Sequence, residues 1–355
     1  MSGPAAPSGE YAVVVPTLGG PGLEACLRAL TGCEGPGPSR VVVVDDRPDP
    51  AGRPLTAAVP PSLRSRTLVV PGGARGPAAA RNTGWRAAGD VPWIVFLDDD
   101  VVPGPTWADD LALDLAGANV ATAGITARIE VPLPPDRRPT DGERTAAGLA
   151  GVRWTTADLA YRRRVLEAVG GFDERFRRAF RGDADLALRV LDAGWTLSEG
   201  RRTTTRPVRP AGRWAAVRLQ ADAADDVLMT RLHGRGWWHR AEVPRGRLPV
   251  HLAVTSAGLA AVGCALSGRP RAAAACAAGW LAGTAGLTLA RVLPGPRTRD
   301  EVVTLVLTGA LVPPAAAWHW LRGRLVHRAA PPHAPRRAGD PASAHRPAAG
   351  ERLRS

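Results

Sequence analysis

Four short apolar runs stand in the first hundred residues, "YAVVVPT", "RVVVVDD", "RTLVV" and "VPWIVFLDDD", and two of them break off on consecutive aspartates. Runs this apolar do not alternate as a half-exposed strand would. They are the pattern of strands covered on both faces, which occurs where helices pack on either side of a mostly parallel sheet. The stretches between them support this. "GLEACLRAL" has helical apolar spacing, and "GPAAARNTGWRAAG" reads as a helix opened by Gly-Pro. An α/β, doubly wound fold is therefore expected.

In such sheets ligands bind beyond the carboxyl ends of the strands. The loop with Thr17, the pair Asp45 and Asp46, and the triplet Asp98, Asp99 and Asp100 all fall there. Adjacent carboxylates raise one another's pKa unless a cation or donors neutralise them. A divalent cation, Mg²⁺ or Mn²⁺, satisfies hard oxygen ligands and leaves coordination positions for water and phosphate. Ordinary solvation or helix capping also accounts for a D-x-D taken alone, so its neighbours must decide.

From about 120 to 215 the chain mixes strand-like pieces such as "NVATAGITARIEV" with helices around 161–169 and 183–193, as a second half completing one site would. Residues 251–321 change character. "HLAVTSAGLAAVGCALSG", "AAAACAAGWLAGTAGLTLA" and "VVTLVLTGALVPPAAAWHWL" carry neither acids nor arginines. Each is close to the roughly 20 residues needed to span a bilayer. Arginines flank every one of them, and an even number of spans would keep both basic ends on one side; a buried helical hairpin is the bland alternative. The expected organisation is a leader over 1–10, a catalytic unit over 11–245, a membrane-associated helical region over 251–321 and a disordered basic tail over 328–355.

Net charge is +13 and every basic side chain is arginine, since the chain has no lysine. Arginine suits phosphate ligands, although genomic base composition produces the same bias. No nucleic-acid-binding motif accompanies the charge, so nucleic acid is not an expected partner. Cys26, Cys33, Cys264 and Cys276 show no C-x-x-C spacing, which speaks against a zinc site and fits a reducing compartment. "MSGPAAPSGE" lacks the basic and apolar regions of a secretory signal, so chemistry is expected at the cytoplasmic face of the membrane.

Taken in order, "VVVPTL", "VVVVDDRP", "RGPAAARNTG", "FLDDDVVP", "LAYRRRVLEAVGGFDERF" and "RGDADLALRVLDAG" resemble the motif series of family 2 glycosyltransferases, the inverting group with the GT-A fold, over about residues 11–200. The resemblance implies metal-dependent transfer of a sugar from a nucleotide diphosphosugar to a hydroxyl of a sugar, lipid-linked or small-molecule acceptor. It implies donor contacts at Thr17, Asp45, Asp46, Arg75, Asn82, Asp98 and Asp99, with Asp46 as the acid reading a base N–H and Asp45 its alternative. Asp100 resembles the direct metal ligand, with Asp98 as a further candidate. Arg81 is left between a site role and a surface role.

In the family the general base is the Asp of an E-D-x-D-L stretch, which places it at Asp183, although Gly182 stands where the family has Glu. Asp185 is expected to cap or orient the following helix. Asp158, where the family has Asn, joins Asp185, Trp154 and His233 on the acceptor side, and His233 is also a candidate late histidine for the metal. The Q-x-x-R-W element of processive synthases is missing, which argues against polymer extrusion. Two competitors keep the same fold: a nucleotidyltransferase, which has no use for Asp183, and an inactive nucleotide-sugar-binding protein.

Overall fold

The computed structural model describes residues 10–52 and 54–333. The expected leader, apart from Glu10, and the expected tail beyond His333 lie outside the described residues. The eight strands are β1 (Tyr11–Thr17), β2 (Arg40–Asp45), β3 (Thr67–Pro71), β4 (Trp93–Leu97), β5 (Val102–Pro103), β6 (Thr122–Glu130), β7 (Asp158–Arg162) and β8 (Thr196–Thr205). They form one sheet in the order β3-β2-β1-β4-β7-β6-β8-β5. The first four are parallel. β7 then runs antiparallel to both β4 and β6, while β6 and β8 are parallel. The α/β expectation holds, with the sheet mixed rather than wholly parallel.

Both faces of the parallel half are covered, which is why its strands are unbrokenly apolar. Val13, Val15, Val41, Val43, Val95 and Leu97 meet α1 (Gly22–Gly32) and α3 (Trp107–Ala116) on one face. Val14, Val42, Val44, Ile94 and Phe96 meet α2 (Pro77–Ala87), α5 (Arg163–Val169) and α6 (Gly182–Asp192) on the other. The split follows the two-residue period of a strand. α2 lies so close to the sheet that a Cβ at Gly84 would fall 2.2 Å from Val14 Cγ1, so only glycine fits there. Between β2 and β3 the chain makes two 3₁₀ turns, Leu55–Ala58 and Pro61–Arg66, instead of an α-helix. Pro48, Pro50, Pro54, Pro60 and Pro61 remove the N–H groups that a longer helix would use.

α4 (Asp141–Ala150) occupies the connection after β6. Beyond β8 come α7 (Ala215–Arg218), α8 (Ala223–His233) and α9 (Trp237–Arg240). Leu228, Met229, Leu232 and Trp237 pack there against Phe176, Ala184 and Leu188 in a smaller core beside α6. Three long helices close the described chain, α10 (Leu248–Leu266), α11 (Pro270–Val292) and α12 (Arg299–Val326), each long and apolar enough to cross a membrane.

Candidate active site

The carboxyl ends of β1, β2 and β4 open on one side of the sheet, and the chain changes direction there at each acidic stretch. Thr17 closes β1 beside Asp45 of β2. Its hydroxyl donates to Asp99 Oδ2 at 2.5 Å and accepts the N–H of Gly19 at 2.9 Å. α1 begins against the triplet, where a Cβ at Gly22 would lie 2.5 Å from the Asp99 carbonyl oxygen. A helix N-terminus carries partial positive charge and favours anions beside it.

Arginines surround the triplet. Arg81, buried on α2, donates from Nη2 to Asp98 Oδ1 at 2.7 Å. Arg206, just past β8, donates from Nη2 to Asp98 Oδ2 at 3.3 Å and to Asp100 Oδ2 at 3.2 Å. Asp100 Oδ1 is buried and accepts no hydrogen bond, although Arg206 Nη2 stands 3.0 Å from it. Burial pushes the Asp99 carboxyl above the usual carboxylate range, and its neighbours Asp100 and Asp98 add to this, while Thr17 and Arg209 oppose it.

Asp183 reaches the same region from the other half of the chain. It sits in the first turn of α6, whose N-cap, Arg181, adopts a left-handed backbone with φ 62°. Such a conformation is costly for a non-glycine residue and needs the surroundings to hold it. Arg181 Nε bonds to Asp226 Oδ1 at 2.8 Å, and its guanidinium lies over the Phe180 and Trp237 rings. Asp183 Oδ2 accepts the N–H of Thr156 at 2.9 Å. Burial raises its pKa; Arg81 and the Thr156 N–H pull it down, and Asp98 pushes it up. Arg81 thus bears on both Asp98 and Asp183.

The remaining expected donor residues lie along the β2 and β3 ends. Asp46 is buried and accepts the N–H groups of Arg75 at 3.1 Å and Gly76 at 2.9 Å, so it ties down the glycine-rich turn before α2. Asp45 is held by Arg47 Nε and Nη2 at 2.8 and 2.6 Å, and this bond lowers its pKa. A cavity of about 410 Å³ opens there, lined by Asp45, Arg47, Val69, Val70, Pro71 and Gly73. Arg75 is half-exposed and pairs with Glu174 at 3.0 Å. Asn82 is enclosed: its amide donates to Phe172 O and Glu174 Oε1 and accepts from Phe172 N and Trp85 Nε1. It therefore fastens the Gly170–Gly171 turn to α2.

Asp158, Asp185 and His233 are turned elsewhere. Asp158 is fully buried on β7, where Arg202 Nε reaches Oδ1 at 2.9 Å and Trp107 Nε1 reaches Oδ2 at 2.6 Å. Asp185 lies two residues from Asp183 on α6, a spacing that sends side chains to different sides of a helix. It makes no capping bond. Instead Oδ2 takes Arg189 Nη2 at 2.7 Å, and Oδ1 faces Nε2 of His233 at 2.8 Å and Nε2 of His333 at 3.0 Å. Burial is the largest single effect on Asp185 and raises its pKa, but Arg189 and the two histidines together outweigh it and hold the carboxyl well below the usual carboxylate range. Among the described residues, Asp185, His233 and His333 are the group of His, Cys and acidic side chains placed to hold a metal ion. Trp154 is buried with its Nε1 unpaired.

Arg206, Arg209, Thr156 and His333 escaped the reading of the sequence. "TTTRPVRP" does repeat the signature of the other site loops, a β-run broken by proline, and that signal points to Arg206 and Arg209. Nothing local marks Thr156 or His333, which act through distant partners.

The mixed α/β sheet, with acids and arginines gathered past the ends of its parallel strands, has the arrangement of the GT-A fold. Residues 12–171, a little under half of the chain, match the family described as "Glycosyl transferase family 2". No protein of curated function matches it in sequence. Among solved structures, the mannosyltransferase PcManGT from Pyrobaculum calidifontis, in complex with GDP-Man and Mn²⁺, aligns over 90% of this chain and 86% of its own at 20% identity, with a TM-score of 0.48. TarS from S. aureus aligns over 87% of this chain and 55% of its own at 13% identity, TM-score 0.42. GalNAc-T7 with UDP, GalNAc and Mn²⁺ aligns over 57% of this chain and 44% of its own at 14% identity, TM-score 0.42. At these values the likenesses say nothing of substrate.

Proposed function

We propose that the protein is an inverting, metal-dependent glycosyltransferase that moves one sugar from a nucleotide diphosphosugar to an acceptor hydroxyl at the cytoplasmic face of a membrane. The observation that carries the reading is the convergence of Asp183 with the strand-end triplet: one guanidinium, Arg81, is bonded to Asp98 and is the strongest charge acting on Asp183. A base from the second half of the chain and an anion-binding crevice from the first then share one site.

The nucleotide is assigned to the β1 and β2 ends, where Thr17, Asp45, Asp46 and the adjoining cavity are of a size and polarity for a base and ribose. Asp98 and Asp99 complete the donor side, with Arg75 and Asn82 at the turn above it. Asp98 and Asp100 are the residues that would hold Mg²⁺ or Mn²⁺, and the buried Asp100 Oδ1, which accepts no hydrogen bond and faces only the Arg206 charge at 3.0 Å, fits such a ligand. Bound there, the ion supplies positive charge to the departing diphosphate. Arg206, and the N-terminal end of α1, add fixed positive charge on the same side.

On the acceptor side Asp183 takes the proton of the attacking hydroxyl. Attack opposite the leaving diphosphate requires one carboxylate on that side, and burial has already raised the Asp183 pKa toward the range useful for a base. Trp154 is a candidate acceptor contact because its buried N–H lacks a partner. A lipid-linked acceptor suits a site carried beside three apolar helices.

The test is a donor screen with the full-length protein in detergent or nanodiscs, with Mn²⁺ or Mg²⁺, reading release of nucleoside diphosphate. Turnover of a nucleotide sugar that is lost in Asp183→Asn supports the reading. Turnover of nucleoside triphosphates alone, with Asp183→Asn unaffected, overturns it in favour of nucleotidyl transfer, and nucleotide-sugar binding without turnover favours a binding protein.

A further inference from the structure

The three long helices have similar length and hydropathy, but their surroundings differ. α10 buries only Val254 and α11 buries nothing. α12 buries Leu305, Thr308, Gly309, Val312, Ala316 and Gly323, a stripe at helical spacing along most of its length. We propose that only α10 and α11 cross the bilayer, as a hairpin, and that α12 lies along the catalytic body at the membrane surface.

The decisive relation is between the two ends of α12. Near its start, Glu301 Oε1 accepts the N–H of Asp141 at 2.8 Å, at the beginning of α4. Near its end, a Cβ at Gly323 would fall 2.7 Å from Ala224 Cα, so the helix lies directly on α8. Glu301 and Gly323 are about 33 Å apart along a helix rising 1.5 Å per residue, which exceeds the hydrocarbon thickness of roughly 30 Å. If α12 spanned the membrane, these two contacts would sit on opposite sides of it. Both are made with the same charged, water-exposed body. The chain after α12 also stays with that body, because His333 N–H donates to Leu232 O at 3.1 Å and its ring reaches Asp185.

The outer face of α12 is apolar as well. Val303, Leu307, Leu311, Trp318, Leu321 and Leu325 are exposed on the side opposite the buried stripe. A helix with one apolar face on protein and another facing out suits the plane of the headgroups, where tryptophan settles.

α10 and α11 meet the requirements of spans. Their 19 and 23 residues correspond to about 28 and 34 Å of helix. They pack by small residues, since a Cβ at Gly283 would lie 2.5 Å from Val254 and one at Gly258 3.0 Å from Trp280. The base of the hairpin is fixed to the catalytic body: Arg291 Nη2 bonds Asp141 Oδ2 at 2.8 Å, and Arg291 Nη1 bonds Thr308 of α12 at 3.1 Å. Arginine distribution agrees. Arg240, Arg245, Arg247, Arg291, Arg297 and Arg299 flank the base, against Arg269 and Arg271 at the tip, an excess that holds the base on the cytoplasmic side.

Cysteine accessibility tests the arrangement in the full chain. In a background with Cys26, Cys33, Cys264 and Cys276 replaced by alanine, single cysteines are placed as Ser267→Cys at the tip, Pro296→Cys at the base and Ala329→Cys after α12. Right-side-out and inside-out vesicles are then treated with a membrane-impermeant maleimide. The expected result is labelling of the 296 and 329 positions from one side and of the 267 position only from the other. Labelling of 329 from the same side as 267 means that α12 spans, and labelling of all three from one side means that the hairpin does not; either overturns the proposal. Should a variant fail to reach the membrane fraction, protease removal of N- and C-terminal tags from the wild-type chain decides between two spans and three, since two spans expose both tags on the same side and three do not.

Discussion

Arg206 Nη2 lies 3.0 Å from Asp100 Oδ1 and 3.3 Å from Asp98 Oδ2, so a single guanidinium bridges the first and last acids of the triplet. The bridge offsets repulsion that the three carboxylates otherwise exert on one another. Arg206→Ala should therefore lower the melting temperature in metal-free buffer, by several degrees, and Mn²⁺ should recover more of it in the variant than it adds to the wild type. Thermal unfolding with and without the ion measures this. Equal Mn²⁺ shifts in the two proteins would show that Arg206 and the ion do not act on the same carboxylates.

For Asp183 two effects oppose each other. As a base it must be ionised, and burial raises its pKa, so transfer should fall with decreasing pH at a value above that of an ordinary aspartate. Asp183→Asn should reduce turnover by roughly 10²–10⁴-fold with donor affinity retained. Stability goes the other way. A folded pKa raised above the unfolded one favours folding while the group is protonated, and that contribution is lost as pH rises through the folded value. At neutral pH the asparagine variant should be at least as stable as the wild type, which calorimetry at pH 5 and pH 7.5 would read.

Asp158 gives a sharp distinction between an acceptor contact and a structural one. It is fully buried with Arg202, which also bonds Asp114 at 3.1 Å and Ile125 O at 2.7 Å. Removing one partner strands a buried charge, so Asp158→Ala should cost about 3–5 kcal/mol of stability. A near-native denaturation midpoint combined with a raised acceptor KM would instead place the residue at the substrate.

The contrast between Asp158 and Asp98 shows what the sequence could reveal. Strand runs, the turn at Gly170–Gly171 and the acids past β2 and β4 are local patterns, and the parallel half of the sheet follows from them. What escaped is set by long-range pairing. The surroundings of Asp158 depend on β7 running between β4 and β6 with Arg202 opposite, which no local pattern announces. The charge problem of the triplet was legible, and a metal was the natural answer to it. Arg81 and Arg206, which share that task, come from α2 and from beyond β8, and no spacing rule connects them to residues 98–100. The apolar segments were evident by composition, but only contacts separate α12 from its two companions.

Asp225 carries a different pH dependence. It begins α8, which supports α12, and one carboxylate oxygen is buried without a partner. Burial, with Asp222 and Asp226 nearby, pushes its pKa up to about 7. The folded value exceeds the unfolded one, so its favourable contribution is complete below about pH 4 and disappears as pH rises through 7. Asp225→Asn should be stabilising by on the order of 2 kcal/mol at pH 8 and close to neutral at about pH 4. Chemical denaturation at the two pH values tests it, and an equal effect at both would mean that the carboxyl does not titrate in this range.

Asp185 presents one oxygen to two imidazoles, the chemistry of a two-histidine, one-carboxylate metal site, while Arg189 holds the other oxygen. Imidazole suits transition ions of the zinc and manganese class. One histidine belongs to α8 and the other follows α12, so an ion there would fasten the end of the membrane region to α6, the helix that carries Asp183. The expected outcome is one equivalent of transition metal per chain that is retained in Asp100→Ala and lost in His233→Ala, read by elemental analysis after dialysis. His333→Ala should additionally speed proteolysis after α12, because it removes the imidazole bond to Asp185 and leaves the segment held there by the backbone bond from residue 333 to Leu232. If His233→Ala keeps its metal while proteolysis accelerates only in the His333 variant, Asp185 and the imidazoles form a hydrogen-bonded clip with no ion in it.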